Sequence, residues 1–300
     1  MVALVISTSP VSEALGADPV HPLVRAFVHS LRDLGWVQGR NLMIEARSAE
    51  GNPERYPTIF AELVARKVDV IVLSAGDLWS IREAQRATRT IPIVFFGTGD
   101  PVAAELVASF ARPAGNTTGL TIQPGSGVSG KRVELLKEIV PRITRVALLG
   151  PILPEQAVRD GDAHGLTLVL AKVERVDQYA EAFAAVLRER ADAVYVENTG
   201  LNYVHAPRIA AFAAQHRLPA IYGFRESVEV GGLASYGIDM RERFRRLAWY
   251  VDRILKGTRA GDIPIEQPTR FELVINLRTA KALGLTIPPS LMLRADQVIE

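Results

Sequence analysis

One strand–helix–strand unit occurs once in each half of the chain, and this repeat limits the possible folds more than any other feature of the sequence. The copies span residues 68–97 and 191–223. In each copy an aspartate opens an apolar strand, a small or polar loop closes it, and a helix leads to a second strand that begins after proline. Proline at the first residue of a strand removes no ladder hydrogen bond, so it marks a strand start. Two similar βαβ units predict two similar lobes.

The rest of the chain continues this alternation of short apolar runs with amphipathic helical segments. Such alternation is typical of parallel sheets covered by helices on both faces. We therefore predict an α/β protein with two doubly wound parallel-sheet lobes joined by a hinge. Predicted strands are residues 2–6, 42–46, 70–73, 93–96, 119–122, 146–149, 166–170, 193–196, 220–222 and 233–236. Predicted helices are residues 24–34, 57–67, 80–88, 131–140, 180–190, 205–216 and 240–256.

Length and charge agree with this architecture. The 300 residues suffice for two domains that each bury a core, and the chain has no cysteine, so disulfides do not hold either lobe together. The net charge is only +2, and arginines are interspersed with acids. Their densest run, residues 241–246, lies on one face of an amphipathic predicted helix, where exposure to solvent explains it. We therefore expect no nucleic-acid partner.

The first residues run directly into an apolar strand-like stretch, without the basic segment and cleavage site of a signal peptide. Two interpretations stay open: a cytosolic protein, and an exported protein whose leader is absent from this chain. No apolar run approaches the roughly 18 residues that cross a bilayer, so the sequence predicts no transmembrane segment.

Polar residues cluster at the predicted carboxyl ends of strands in both halves. In open parallel sheets ligands bind at these ends, where loops converge and helix N-termini present free amides. Serine, asparagine and aspartate at such points also cap the following helix, and this simpler role is the alternative for each residue taken singly. Taken as a set, we expect them to line a ligand cleft. The acids Asp77, Asp100, Glu197 and Glu226 would there favour an amine- or hydroxyl-bearing solute over a multiply anionic one.

Aromatic residues at or after predicted strand ends add candidate walls for a planar ligand. Trp79 is the strongest candidate, because the first turn of a helix directly after residues 74–77 is a poor place to bury an indole. For Phe224 and Tyr236, filling a lobe core is the alternative. The predicted ligand-binding residues are Ser7, Thr8, Ser74, Gly76, Asp77, Trp79, Thr98, Asp100, Glu197, Asn198, Thr199, Tyr222, Glu226 and Tyr236.

Enzyme signatures are absent or incomplete in the sequence. Residues 125–132 nearly form a phosphate-binding P-loop, but Arg132 occupies the position of the magnesium-binding hydroxyl, so we interpret them as a flexible loop with Ser129 near a helix N-cap. The five histidines lack metal-ligand spacing, and no nucleophile elbow occurs. We predict no catalytic residue, no metal and no cofactor. A doubly wound enzyme acting on a small metabolite stays as an alternative.

Several motifs together resemble one known family. They are RDLGWVQGRNL at residues 32–42, GDPV at 99–102, ARPAGNTTG at 111–119, LPAIYGFRE at 218–226 and ALGLTIPPS at 282–290. In these segments the chain is similar to the tryptophan/aromatic-amino-acid-type substrate-binding proteins of ABC transporters. The similarity covers nearly the whole chain and is most specific in residues 267–300.

This resemblance implies a type I periplasmic-binding-protein fold, in which two lobes close over a small solute. It implies lobe one from residues 1–120 plus about 238–265, and lobe two from residues 121–237 plus about 266–300. It also implies a periplasmic or membrane-anchored extracytoplasmic location, with a membrane permease as partner, and we expect a monomer or weak dimer. Residues 197–199 lie where amino-acid-binding members hold the charged backbone groups of their ligand.

The predicted function is capture of a small solute, such as an aromatic amino acid or a related aromatic acid, without catalysis. A ligand-sensing domain of a regulator is the other alternative, but it would need a DNA-binding or signalling domain that these 300 residues lack.

One segment departs from the family. Residues 151–165 replace a full crossover helix and, with two prolines and two glycines, leave room for barely two turns. We expect thin cover of lobe two there, which would favour a dimer.

Overall fold

The computed structural model describes residues 1–97, 99–122 and 127–300. It divides the chain into two compact units. One unit, here lobe one, comprises Met1–Gln123 and Met240–Thr269, and the other, lobe two, comprises Pro124–Asp239 and Arg270–Glu300. The chain therefore passes between the lobes three times, and neither lobe is one continuous segment.

The described residues form twelve strands and twelve α-helices. The strands are β1 (Val2–Ile6), β2 (Ile44–Ser48), β3 (Val70–Gly76), β4 (Ile93–Gly97), β5 (Thr117–Thr121), β6 (Arg145–Gly150), β7 (Thr167–Lys172), β8 (Ala193–Val196), β9 (Ala220–Tyr222), β10 (Ala234–Gly237), β11 (Glu272–Asn276) and β12 (Gln297–Ile299). The helices are α1 (Pro22–Asp33), α2 (Tyr56–Ala65), α3 (Leu78–Ala87), α4 (Gly127–Ile139), α5 (Glu155–Ala163), α6 (Tyr179–Arg188), α7 (Gly200–Val204), α8 (Ala206–Gln215), α9 (Arg225–Glu229), α10 (Met240–Leu255), α11 (Leu277–Ala282) and α12 (Pro289–Arg294). No helix within these described ranges is long and apolar enough to span a membrane.

Lobe one is built on a five-stranded parallel sheet in the order β2-β1-β3-β4-β5. Ala3 and Val5 of β1 face α2 and α3, where they join one hydrophobic core. On the opposite face, Phe96 of β4 meets Phe244 of α10 edge-on, with ring centroids 5.5 Å apart. Burial on both faces explains the near-continuous apolar strands of this half of the sequence.

Lobe two has a seven-stranded sheet in the order β12-β11-β10-β9-β8-β6-β7. Five strands are parallel, whereas β11 pairs antiparallel with β10, and β12 runs alongside β11. The all-parallel sheet predicted for this lobe is therefore wrong at one side. The chain leaves lobe two at the carboxyl end of β10 and returns at the same edge, so β11 runs back the opposite way.

Helix α4 starts at Gly127, four residues before the predicted start at residue 131. Ser129 therefore lies inside the helix and not in a flexible loop, and residues 125 and 126 of the near P-loop lie outside the described residues. Gly130, interpreted as a loop signal, has a packing role. A Cβ there would lie 3.1 Å from the carboxylate carbon of Asp160, so the glycine lets α4 and α5 approach.

Residues 151–165 hold a nine-residue helix, α5, which is longer than predicted for this crossover. Gly161 determines how closely this helix packs on the sheet. A Cβ at this position would lie 2.4 Å from Cδ1 of Leu168, so the missing side chain allows α5 to lie directly against β7. Leu168 is consequently buried, and the short crossover covers this part of the sheet.

Candidate functional site

In each lobe, loops at the carboxyl edge of the sheet carry most of the predicted ligand-binding residues. In lobe one, Ser7 and Thr8 follow β1 and are half-buried, Asp77 follows β3, and Asp100 lies after β4. Thr98 lies outside the described residues.

Asp77 caps helix α3, and Asp100 closes a turn through its side chain. The Asp77 carboxylate accepts a hydrogen bond from the Ser80 backbone N–H at 2.7 Å, and the Asp77 backbone N–H donates to the Ser80 hydroxyl at 3.0 Å. Asp100 accepts hydrogen bonds from the backbone N–H groups of Val102 and Ala103 at 2.8 and 3.0 Å. The helix-capping role that the sequence left open is thus present at Asp77 but not at Asp100, which no helix directly follows among the described residues, and each side chain uses one carboxylate oxygen for these bonds.

Ser74 and Gly76 shape the backbone at this edge. Ser74 is buried, and its hydroxyl donates to the carbonyl of Val5 at 3.2 Å, which joins β3 to β1. The carbonyl of Gly76 lies against Gly97, where a Cβ would be only 2.0 Å from the carbonyl oxygen. Backbone therefore touches backbone where β3 and β4 end.

Trp79 in the first turn of α3 is 39% exposed, so it is not buried in the lobe core. Its ring lies 5.7 Å from the ring of Tyr56 at a tilt of 54°, and Tyr56 stacks on Phe60. Burial raises the pKa of the Tyr56 hydroxyl, and the charge of Asp77 raises it further. Sequence reasoning missed Tyr56, although it opens a helix after a strand just as Trp79 does.

In lobe two, the loop after β8 is held by a buried asparagine that the sequence analysis did not select. Thr199 caps α7 by accepting a hydrogen bond from the Asn202 backbone N–H at 3.1 Å. The Asn202 side chain donates to the carbonyls of Glu197 and Leu149 at 2.9 and 3.0 Å, and accepts from the Tyr179 hydroxyl at 2.8 Å. Asn202 thereby fixes the path of residues 197–199. The sequence feature that could have indicated this role is the position of Asn202 three residues after Thr199, the N-cap of α7.

Asn198 lies against the backbone at the end of β9. A Cβ at Gly223 would coincide with this side chain, at 1.2 Å from its Oδ1. That oxygen is buried and has no hydrogen-bond partner among the described residues. Gly237 at the end of β10 is equally close to its neighbour, since a Cβ there would lie 1.9 Å from the carbonyl oxygen of Gly223. The Asn198 amide oxygen is thus an unsatisfied buried acceptor at the carboxyl edge of lobe two.

Three further predicted residues of lobe two differ in their surroundings. Tyr222 is 1% exposed and lies in the core under α8, because it shares a strand face with the buried Ala220. This position argues against a direct contact between Tyr222 and a solute. Tyr236 is half-buried beside Phe271, with ring centroids 5.8 Å apart. Glu226 lies in the first turn of α9, and both its carboxylate oxygens are buried.

Arg132 of α4, noted in the sequence only as a defect in the P-loop, is buried at the carboxyl edge of lobe two. Its Nε donates to the carbonyl of Tyr236 at 2.7 Å and its Nη1 donates to the hydroxyl of Tyr195 at 3.1 Å. Burial raises the pKa of the Tyr195 hydroxyl, while the Arg132 charge acts in the opposite direction.

Residues 1–97, 99–122 and 127–300 contain no group of three or more histidine, aspartate or glutamate side chains that could hold a metal ion. Two histidines have local structural roles. His21 accepts from the backbone N–H of Val24 at the start of α1, and His29 pairs with Asp18 at 2.9 Å.

Comparison with known proteins gives consistent matches. The family model described as ABC transporter substrate binding protein matches residues 10–299. The tyrosine-binding protein of Clostridioides difficile strain R20291 is 25% identical over 268 residues, covering 87% of this chain and 76% of that protein. A conserved domain protein of Vibrio cholerae has a structure with a TM-score of 0.85 at 28% identity, with 99% of each chain covered. The ABC domain from Streptococcus pneumoniae, solved in complex with L-Trp, has a TM-score of 0.84 at 24% identity, also with 99% of each chain covered.

Proposed function

Because this chain belongs to the ABC transporter substrate-binding protein family, we propose that the solute it captures for its membrane permease is an aromatic amino acid or a related aromatic acid. The assignment as a substrate-binding protein with two α/β lobes confirms the function and fold predicted from the sequence. The family match does not favour the two alternatives, a ligand-sensing domain of a regulator and a doubly wound enzyme.

Trp79 is the observation that carries the aromatic part of the proposal. It presents a 39% exposed indole at the carboxyl edge of the lobe-one sheet and rests on Tyr56. Exposed indole surface at a ligand-binding edge favours a planar solute, because aromatic stacking adds about 0.5 to 1.5 kcal/mol beyond burial. The 25% identity to a tyrosine-binding protein supports the same solute class.

Family members bind small solutes outside the cytoplasm and deliver them to a permease. We propose a periplasmic or membrane-anchored location for this protein, and binding that leaves the solute chemically unchanged. We also propose a monomer, because α5 covers the face of lobe two where an exposed sheet would have favoured a dimer.

Solute binding is expected to close the two lobes about their connecting segments, since only three passages of the chain join them. Small-angle X-ray scattering on protein stripped of solute, and again with saturating L-tyrosine or L-tryptophan, measures this as a decrease in the radius of gyration. An unchanged radius, with binding established by calorimetry in the same samples, would contradict closure.

Replacing Trp79 by alanine is expected to weaken binding of the aromatic amino acid by about tenfold, which corresponds to the loss of one stacking contact and its burial. Trp79→Phe, which keeps a smaller aromatic face, should lose at most about threefold. Isothermal titration calorimetry measures both affinities.

The melting temperature of the solute-free protein is the control for this substitution. Trp79 is partly exposed, so its removal should lower that temperature by only about 2 to 4 °C. A much larger drop together with unchanged affinity would assign Trp79 to the core of lobe one and contradict the proposed contact.

A further inference from the structure

A positive charge is buried at the carboxyl edge of lobe two without an ion-pair partner among the described residues. Arg132 is 4% exposed, and among the described residues no carboxylate lies within ion-pair distance of it. Its two partners, the Tyr236 carbonyl and the Tyr195 hydroxyl, are neutral. They use two of the five N–H donors of a guanidinium group. Burial of an unpaired charge is strongly unfavourable, so this site is electrostatically incomplete as it stands.

The topology of the lobe places this charge where solutes bind. The carboxyl end of α4 leads into the start of β6, so the first turns of α4, which include Arg132, lie at the carboxyl edge of the sheet. Its two partners agree with this position, because Tyr195 and Tyr236 are each the third residue of a four-residue parallel strand. Arg132 therefore lies at the edge where parallel sheets bind ligands.

A negative charge occupies the same part of the edge. Glu197 follows β8 on the strand face that carries Tyr195, because side chains alternate along a strand. The charges of Glu197 and Arg132 shift the pKa of the Tyr195 hydroxyl in opposite directions, so both lie within electrostatic reach of it. Glu197 forms no ion pair with a cationic side chain in the described part of the chain. Its side chain passes over Gly150, where a Cβ would lie 2.8 Å from the Glu197 Cβ.

We propose that Arg132 binds the carboxylate of an α-amino acid, whose ammonium group the loop with Glu197 is already expected to hold from the family resemblance. An α-amino acid carries one positive and one negative group on the same carbon atom, which complements an arginine and a glutamate at the same edge of the sheet. Arginine also offers two parallel N–H donors to a carboxylate. This assignment rests on the proposed function and deepens it, because it identifies the charged half of the solute and the residue that recognises it.

The test combines a change in the ligand with a change in the protein. Calorimetry is carried out on wild type and Arg132→Gln with L-tyrosine and L-tryptophan, and with their amides, which keep the ammonium group and ring but lack the carboxylate charge. Wild type should bind each amino acid about 10- to 100-fold more tightly than its amide, the range expected for a charge-assisted hydrogen bond. Arg132→Gln should weaken amino-acid binding by at least about tenfold and amide binding by less than about threefold.

Arg132→Gln also removes the hydrogen bond that joins α4 to the Tyr195 hydroxyl, and Tyr195→Phe is the control for the loss of this bond. This variant removes the hydroxyl that Arg132 contacts but keeps the guanidinium charge, and it should leave the amino-acid-to-amide ratio within about threefold of wild type. If Arg132→Gln weakens both ligands equally, or neither, Arg132 is only a structural tether and the proposal is overturned. If Arg132→Gln does not fold, wild type and Arg132→Lys are compared instead. An amino-acid affinity of wild type equal to its amide affinity overturns the proposal. A preference for the amino acid over its amide that is retained in Arg132→Lys supports it.

A panel of the twenty common amino acids separates this proposal from the proposed function. Carboxylate-dependent binding of a non-aromatic amino acid would support the role of Arg132 and contradict the aromatic assignment. Binding of aromatic compounds without any dependence on the carboxylate would contradict Arg132 and leave the aromatic assignment standing. Failure of the whole panel to bind would overturn the amino-acid proposal.

Discussion

Replacing Gly97 by alanine is expected to destabilise lobe one by about 3 kcal/mol, because the added methyl group meets backbone that cannot move aside. A Cβ at this position would lie 2.0 Å from the carbonyl oxygen of Gly76 and 2.7 Å from its carbonyl carbon. These atoms belong to β3, which is paired with β4 at this very position. No side-chain rotation relieves such a contact, so the two strands must separate.

Chemical denaturation followed by circular dichroism measures the effect. Gly127→Ala is the matched control, since a Cβ there meets nothing within 4 Å and the residue does not have a positive φ. This control should leave the free energy of unfolding unchanged or raise it by about 0.4 to 1 kcal/mol. Equal denaturation midpoints for Gly97→Ala and wild type would show that the edge of the lobe-one sheet accommodates the methyl group, contrary to expectation.

Replacing Asn202 by alanine should both destabilise lobe two and weaken solute binding. The substitution removes the acceptor of the Tyr179 hydroxyl and one of the two donors to each of the Leu149 and Glu197 carbonyls, which each keep one backbone N–H donor. Three hydrogen bonds are lost at about 1 kcal/mol each, and the buried Tyr179 hydroxyl is left unsatisfied, so we expect a loss of about 3 kcal/mol in the free energy of unfolding. Release of the Glu197 carbonyl frees the loop that carries Asn198, and we expect about a tenfold rise in the Kd for the solute.

Tyr179→Phe separates the two effects. It removes only the bond from the Tyr179 hydroxyl and keeps both bonds from Asn202 to the loop backbone. Stability should fall by about 1 kcal/mol, while affinity should stay within about twofold of wild type. Equal loss of affinity in Tyr179→Phe and Asn202→Ala would argue against a role for Asn202 in positioning the loop.

Periodic features of the fold were predictable from the sequence. The repeated βαβ unit corresponds to β3-α3-β4 in lobe one and to β8, α7, α8 and β9 in lobe two. Apolar periodicity is a local property, so sequence alone reveals it. The reversed direction of β11 was not predictable this way, because it follows from the path of the chain between lobes. Gly130 and Gly161 were misinterpreted for a related reason: both permit contacts with segments outside their own helix.

The candidate site was less predictable, because one residue type serves two roles. Aspartate is common in ligand sites, but Asp77 caps a helix and Asp100 closes a turn, and only the direction of a carboxylate oxygen distinguishes these roles from ligand binding. Arg132 and Asn202 were missed because their partners are distant in sequence. Arg132 donates to Tyr236, 104 positions away, and Asn202 to Leu149, 53 positions away. No motif in a single segment indicates either interaction.

The paired glycines at the strand ends also determine which positions are open to evolutionary change. Where β3 meets β4, and again where β9 meets β10, backbone touches backbone so closely that no side chain fits. In a library with every residue varied, Gly97 and Gly237 should therefore accept almost no replacement, whatever solute is selected. New solute preferences must arise in the residues carried by the adjoining loops and helix starts, such as Trp79 and Asn198. The backbone at the carboxyl edge of each sheet is thus invariant, and adaptation to a new solute is confined to the side chains of the adjoining loops and helix starts.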